Sequence, residues 1–389
     1  MKNLAQTIKE NQENLRNKQL FKRDYSFPKE LFLIEKIHTL VGARRVGKTS
    51  VMIQRIQTFE KEWLLAYEDI VFLDYATLQP SEYPSSEQLL EAFHSIHPGR
   101  TPRFFLDEIQ SDHDFKYTLL KLYNQWYKIF VTWSNSKLLS HELATELRGR
   151  SYEFHIQGLS FVEYCRFRGK EIHWDGVYTA TERGTILHLM QEYLSYGTYP
   201  ELALSNNKTI ATSLIDGYLN TLLYRDIQER YGKNITNGIE YLIKQLVISN
   251  TKYTSLHKVY QDLKSQWKKI SKDSVYNFMD ILQQVFFVSE VADRYKPKAQ
   301  KKYFLNDRWY MQLFSNKENF WQKWEHCIYL HLLRNWETLS YSNSDGREID
   351  FVTNNDDRIQ VCYQLHKENY AREIEPLVAS KNTTKILYL

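Results

Sequence analysis

Cysteine is scarce in this 389-residue chain: Cys165, Cys327 and Cys362 stand far apart with no CxxC pair. That leaves neither a disulfide framework nor a cysteine zinc site, and the expected compartment is a reducing cytoplasm. Glycine (13 residues) and proline (8) are also few, well below their usual shares of about 7% and 5%, which excludes fibrous and low-complexity classes. No apolar run approaches the roughly 18 residues a membrane helix needs. The stretch Met1–Lys18 is polar and charged, so neither membrane insertion nor secretion is expected. One-signed charge is lacking too: 51 basic residues face 47 acidic ones, a formal +4. A nucleic-acid partner would have to be recognised by a local patch.

What the chain does have is aromatic mass, 28 Tyr, 20 Phe and 9 Trp, enough to build cores in two or three domains of about 150 residues each. Leu4, Ile8 and Leu15 recur at near-helical spacing, so residues 1–30 read as a lead-in helix ending near Phe27–Pro28. Short apolar segments then alternate with helical ones. Ile34–Val41, Ile70–Leu73, Arg103–Leu106 and Ile129–Thr132 read as strands and Ser50–Phe59 as a helix, the signature of an α/β, doubly wound parallel sheet over residues 31–183. Residues 184–245 lack strand alternation and carry helical runs, Ile186–Tyr196 and Ile215–Gln228, fitting a helical lid.

Gly42-Ala43-Arg44-Arg45-Val46-Gly47-Lys48-Thr49 matches GxxxxGK[ST] in full, between a strand and a helix as the motif requires. Glycines let successive backbone N–H groups, and those opening the helix at Ser50, face a phosphate chain. Lys48 would neutralise its charge and the Thr49 hydroxyl would ligate Mg²⁺, so ATP and Mg²⁺ are the expected cofactors. The strand Arg103–Leu106 runs into Asp107 and Glu108. Asp107 is placed to complete the Mg²⁺ shell and Glu108 to polarise the attacking water. Ser134 and Asn135, after a third strand, would sense the terminal phosphate. Arg148 and Arg150 would lend charge to the transition state, in cis or from a neighbouring subunit.

The runs LVGARRVGKTSVMIQRI, RFFLDEIQ, VTWSNSKLLSHELATELRGR and LSFVEYCRFRG, with YLSYGTYPEL and LLYRDIQERYG further on, together resemble the bacterial and archaeal AAA-like ATPases of the STAND-related archaeal ATPase group. That resemblance spans nearly the whole chain. It implies a P-loop NTPase domain with its helical lid, then a winged helix at 246–312, then an α/β restriction-endonuclease-like domain at 313–389. Ala43 stands where the family often has Pro, and Trp133 where it often has Gly.

The expected winged helix coincides with a basic stretch. Residues 252–302 hold eleven Lys and Arg against five acids, a local +6 that includes Lys268, Lys269, Lys298 and Lys301. Ser255–Leu263 and Lys272–Gln284 read as its helices, with Ser271 and Asp273 as caps, and Val285–Val291 and Lys302–Leu305 as a two-stranded wing. DNA is the partner this distribution suggests, the second helix entering a groove and the wing lysines meeting phosphates. A solvated face serving a protein contact or a second copy of the chain is the alternative.

In a restriction-endonuclease-like domain a helix acid, a strand Asp and an (E/Q)xK strand meet around a metal ion. The matching residues are Glu325 on a helix Trp321–Trp336, Asp350 in the strand Glu348–Thr353, and Gln360 in the strand Arg358–Leu365. Cys362 takes the lysine position, so the pattern is degenerate unless Lys367 substitutes. The overall expectation is an ATP-hydrolysing molecular switch. A DNA-binding regulator tuned by ATP, or a metal-dependent endonuclease, is the alternative.

Overall fold

The structure is a computed structural model. It describes residues 4–388 except 26, 28, 135–148, 174, 206, 229–230, 233–234, 267–269, 299, 313–319, 335–337, 345–346, 363 and 379–384. The chain divides into two compact units, Met1–Leu159 and Ser160–Leu389.

In the first unit, helix α1 (Leu4–Asn17) and the short α2 (Lys29–Leu33) precede the sheet. Five strands follow: β1 (Ile37–Val41), β2 (Ile70–Asp74), β3 (Arg103–Asp107), β4 (Lys128–Trp133) and β5 (Ser151–His155). They pair in parallel in the order β2-β3-β4-β1-β5. Helices α3 (Lys48–Lys61), α4 (Ser86–Ile96) and α5 (Phe115–Asn124) make the crossovers. This is the P-loop NTPase sheet that the alternation of strands and helices predicts. The inner strands read as near-continuous apolar runs because helices bury both faces of a parallel sheet. In β5 only Phe154 is buried, so this edge strand has no such run and escapes a reading by hydrophobicity.

The opposite edge shows what the lead-in helix is for. The Asn11 side chain donates to the Phe72 carbonyl and that of Gln12 to the Ile70 carbonyl, each at 2.8 Å. Alternate outward carbonyls of β2 are thereby capped, which closes an edge that would otherwise be free to pair with another chain. Under α3 the sheet carries an aromatic ladder: Phe130 stacks on Phe105 at 4.8 Å and on His38 at 4.6 Å. The Arg55 guanidinium lies 3.8 Å from the centre of the Phe59 ring.

The second unit opens with helices α6 (Phe161–Phe167), α7 (Ala180–Tyr196), α8 (Pro200–Leu204) and α9 (Lys208–Thr221). The helix expected over Ile215–Gln228 is continuous in path but changes at Leu222 into a wider π-helical turn, Leu222–Gln228. Helix α10 (Thr236–Ile248) then leads into β6 (Tyr253–Thr254), α11 (Leu256–Gln266), α12 (Lys272–Gln284), β7 (Val288–Val291) and β8 (Lys301–Leu305), whose strands pair antiparallel in the order β6-β8-β7. Three helices and a small antiparallel sheet with its hairpin thus follow one another over this stretch, and Ser271 caps α12 as read from sequence.

A mixed α/β layer completes the unit: α13 (Phe320–Arg334), β9 (Ser340–Ser344), β10 (Arg347–Val352), β11 (Arg358–Val361), α14 (Tyr370–Val378) and β12 (Lys385–Tyr388), with sheet order β12-β11-β10-β9. Phe304, Tyr329 and Phe351 join the three-stranded sheet and this layer in one core. Fully buried Glu163 on α6 takes both Arg334 Nη atoms, each at 2.9 Å, tying α6 to α13.

Burial pushes His38 down to about 4 against an ordinary 6.5. Because the folded value is the lower one, this contribution to stability is complete above pH 6.5 and is lost as the pH falls toward 4. The loss amounts to about 3 kcal/mol at most. Urea unfolding at pH 7 and pH 4.5 should therefore show a smaller drop in stability for His38→Phe than for the wild type.

Candidate functional site

The sheet order places β4 between β1 and β3, so the loops after these three strands share one edge. β1 ends at Val41, the chain turns at Gly42, and α3 begins at Lys48. A Cβ on Gly42 would sit 2.2 Å from the Ile156 carbonyl oxygen, so no other residue fits there. Gly47, at φ 93°, opens α3 in the left-handed region. Lys48 is only 4% exposed. Its ammonium donates to the carbonyls of Gly42 (3.2 Å) and Ala43 (3.0 Å) and lies 3.4 Å from Glu108 Oε1.

Strand β3 supplies the acids. Asp107 Oδ2 accepts from the Thr49 hydroxyl at 2.7 Å, and its other oxygen accepts from the Thr132 hydroxyl. Burial raises Asp107 to about 6 despite these two donors. Glu108 sits in the left-handed region at φ 49°, and its backbone N–H donates to Thr132 Oγ1 at 2.8 Å. Its Oε2 accepts from the Ser134 hydroxyl at 2.8 Å and from the Gln110 amide, which also donates to Ser134 Oγ at 2.9 Å. Burial raises Glu108, but Lys48, Arg44 and these two hydrogen bonds outweigh it and hold the carboxyl below its usual range.

Lys48, Thr49, Asp107, Glu108 and Ser134 are thus brought together at one edge of the sheet. The glycine cradle, the helix N-terminus, the buried ammonium and the Thr49–Asp107 pair fit a nucleotide phosphate chain with Mg²⁺. Asn135 and Arg148 lie outside the described residues. Arg150 requires a correction. Its carbonyl accepts from the Ile37 N–H at the start of β1, and its guanidinium lies 5.5 Å from the centre of the Tyr123 ring. That is the end of the sheet opposite the phosphate loop, since β5 runs parallel to β1 from Ile37↔Ser151. Arg150 cannot reach the site of its own chain.

Sequence reasoning missed three residues of this site. Gln110 and Thr132 orient the two acids, and a polar residue beside an acidic pair carries no signature of its own. Arg23, 2% exposed, donates to the carbonyls of Val46 (2.7 Å) and Gln157 (2.8 Å), bracing the phosphate loop from the lead-in segment. Its distance in sequence hid it.

In the second unit, Glu325 and Asp350 line one cavity of about 470 Å³. Gln360 lines it too, with its amide donating to Glu373 at 2.8 Å. Cys362 Sγ donates to the Gln364 carbonyl at 3.1 Å, and exposed Lys367 does not reach the cavity. Two lysines do line it, exposed Lys252 and buried Lys302, and Lys302, 3% exposed, lies 3.3 Å from Glu325 Oε1. Among the described residues no group of three or more His, Cys, Asp or Glu is placed to hold a metal ion. Of the basic stretch, Lys252, Lys258, Lys264, Lys272, Arg294, Lys296 and Lys298 are exposed. Lys301 pairs with Glu290 at 2.6 Å, and Lys268 and Lys269 lie outside the described residues.

Residues 35–165 match the model of an AAA domain, and residues 187–311 that of a domain of unknown function, DUF8612. The uncharacterized protein MJ1544 of Methanocaldococcus jannaschii is 30% identical over 352 residues, 87% of this chain and 77% of that protein. An uncharacterized protein of Haemophilus influenzae is 23% identical over 362 residues, 90% of this chain and 87% of its own length. Among solved structures, the Aeropyrum pernix ORC1 protein in complex with DNA aligns over 80% of this chain and 90% of its own, at 13% identity and a TM-score of 0.33. Among the described residues no helix is long and apolar enough to cross a membrane.

Gly42→Ala should weaken nucleotide binding and lower the stability of the first unit, by about 2 kcal/mol or more, because the added methyl meets backbone rather than a side chain that can turn away. Titration with a fluorescent ATP analogue and thermal unfolding read the two effects.

Proposed function

Because the chain belongs to the family of the Methanocaldococcus jannaschii protein and carries an AAA domain, we propose that it is an ATP-binding and hydrolysing molecular switch. In this reading nucleotide state is coupled to the winged-helix and C-terminal parts. The observation that carries it is the environment of Lys48: a buried ammonium held by two loop carbonyls and one carboxylate, all of which phosphate oxygens can replace. When Lys48 turns to phosphate, Glu108 Oε1 is freed, while Ser134 and Gln110 keep Oε2 in place. Glu108 is then oriented to take a proton from the attacking water, and Thr49 and Asp107 would hold Mg²⁺. When bound, the ion would neutralise charge on the phosphate chain. Kinship with STAND-related ATPases, a degenerate nuclease-like C-terminal domain and a cytoplasmic location belong to the same proposal. A neighbouring copy supplying Arg148 or Arg150 is its oligomeric form.

DNA is the proposed partner. Among the described residues, seven exposed basic residues remain on the winged part once Lys301 and Lys302 are set aside as ion-paired. The exposed face of α12 also carries Asp273, Asn277 and Asp280, so the affinity would come from phosphate contacts more than from base readout.

Lys48→Ala should abolish ATP binding and turnover together, whereas Glu108→Gln should keep binding and lose about 100-fold or more in kcat. Wild-type turnover in either variant retires the ATPase reading. In fluorescence anisotropy with duplex DNA, affinity should fall steeply with salt, and Lys296→Glu with Lys298→Glu should weaken it and flatten the salt slope. Binding that is absent or indifferent to salt removes DNA from the proposal and leaves a protein partner.

A further inference from the structure

The nuclease-like pattern implies a metal ion among Glu325, Asp350 and the third-strand position, and the residues present do not fit one. The third position offers no charged ligand: Gln360 has only a neutral amide oxygen to give, its N–H donating to Glu373, and the Cys362 Sγ donates to the Gln364 carbonyl. One oxygen of Asp350 already accepts from the Val361 N–H at 2.8 Å. Between the acids lies the side chain of Lys302. Its ammonium is 3.3 Å from Glu325 Oε1, is hydrogen-bonded to Glu348, and sits 5.6 and 5.8 Å from the centres of the Tyr253 and Tyr341 rings.

We infer that the Lys302 ammonium occupies the place of the metal ion, so that this carboxylate cluster is a metal-independent ion-pair joint and not a divalent-cation centre. The inference concerns the second unit alone and does not depend on the ATPase reading. Lys302 cannot swing out readily, because its strand is the central one of three, paired opposite Tyr253 on one side and Val291 on the other. Its side chain is 4% exposed. Burial would strip its proton, yet Glu325, Asp350 and Glu348 more than compensate and hold it firmly charged. A divalent cation entering beside it would meet a fixed positive charge in a medium of low dielectric.

The joint also has a mechanical consequence. Lys302 comes from the winged sheet, Glu325 from α13 and Glu348 and Asp350 from β10, so three elements are fastened through one buried charge. The Arg294 N–H bond to the Tyr341 carbonyl, at 2.7 Å, reinforces the same seam. The winged part and the C-terminal layer are therefore expected to move as one body.

The test is a Mn²⁺ titration of the full-length, nucleotide-free protein, following the free-ion paramagnetic resonance signal. The wild type should hold no more Mn²⁺ than Asp350→Asn, any ion at Thr49 and Asp107 being common to both. Lys302→Ala should gain one Mn²⁺ per chain, lose it again when combined with Asp350→Asn, and show a lowered Tm that Mn²⁺ restores. A wild type holding one Mn²⁺ more than Asp350→Asn overturns the inference, as does a folded Lys302→Ala that gains none. If Lys302→Ala does not fold, the comparison of wild type with Asp350→Asn and with Glu348→Gln decides alone.

Discussion

A lysine ammonium buried away from water must be surrounded by acceptors, and the two units of this chain are built around two such ammoniums. The cost of stripping a charge of water is several kcal/mol even after relaxation, and it is recovered only by well-placed partners. Around Lys48 these are two main-chain carbonyls and Glu108. Around Lys302 they are the carboxylates of Glu325 and Glu348, with Asp350 close by. Carbonyls of a glycine-bounded loop are weak partners that a phosphate chain can displace. A set of fixed carboxylates is not, so the first lysine is poised for exchange and the second is locked.

The surrounding architecture follows from keeping the first lysine exchangeable yet oriented. The sheet order brings the loops after β1, β3 and β4 side by side, so Thr132 and Ser134 reach the acids of β3 without any long connection. Arg23 and Tyr25 approach from the lead-in segment and hold the loops ending at Val46 and Gln157. Asn11 and Gln12 close the far edge. The lead-in segment is thus part of the first unit, its side chains capping backbone groups of the sheet edge and the phosphate loop.

Legibility varied with how local the cause was. The phosphate loop, the acidic strand end and the helices Lys48–Lys61 and Lys272–Gln284 can be read directly, because glycine spacing, apolar runs and caps act within a few residues. Strand β5 is not readable, since an edge strand with one buried side chain leaves no pattern. For Arg150 the sequence leaves open whether its charge serves its own chain or a neighbouring copy. Only the parallel register of β5 on β1 shows that Arg150 lies at the end of the sheet opposite the phosphate loop.

Lys302 draws the same line between the two sources of information. In the sequence it is one of eleven basic residues in a stretch suited to DNA, while the nuclease-like pattern lacks its lysine at Cys362. The sequence by itself determined which residues could carry chemistry: Gly42 to Thr49, Asp107 and Glu108, and the acids Glu325 and Asp350. The tertiary structure decided which charges face one another. Pairing Lys302 between Tyr253 and Val291 aims it into the carboxylate cavity, and Lys301, one residue away on the other face of the strand, meets Glu290 instead. Strand alternation fixes that the two lysines part company. Which one is buried, and against what, depends on elements brought together from distant parts of the chain, and no local pattern encodes that.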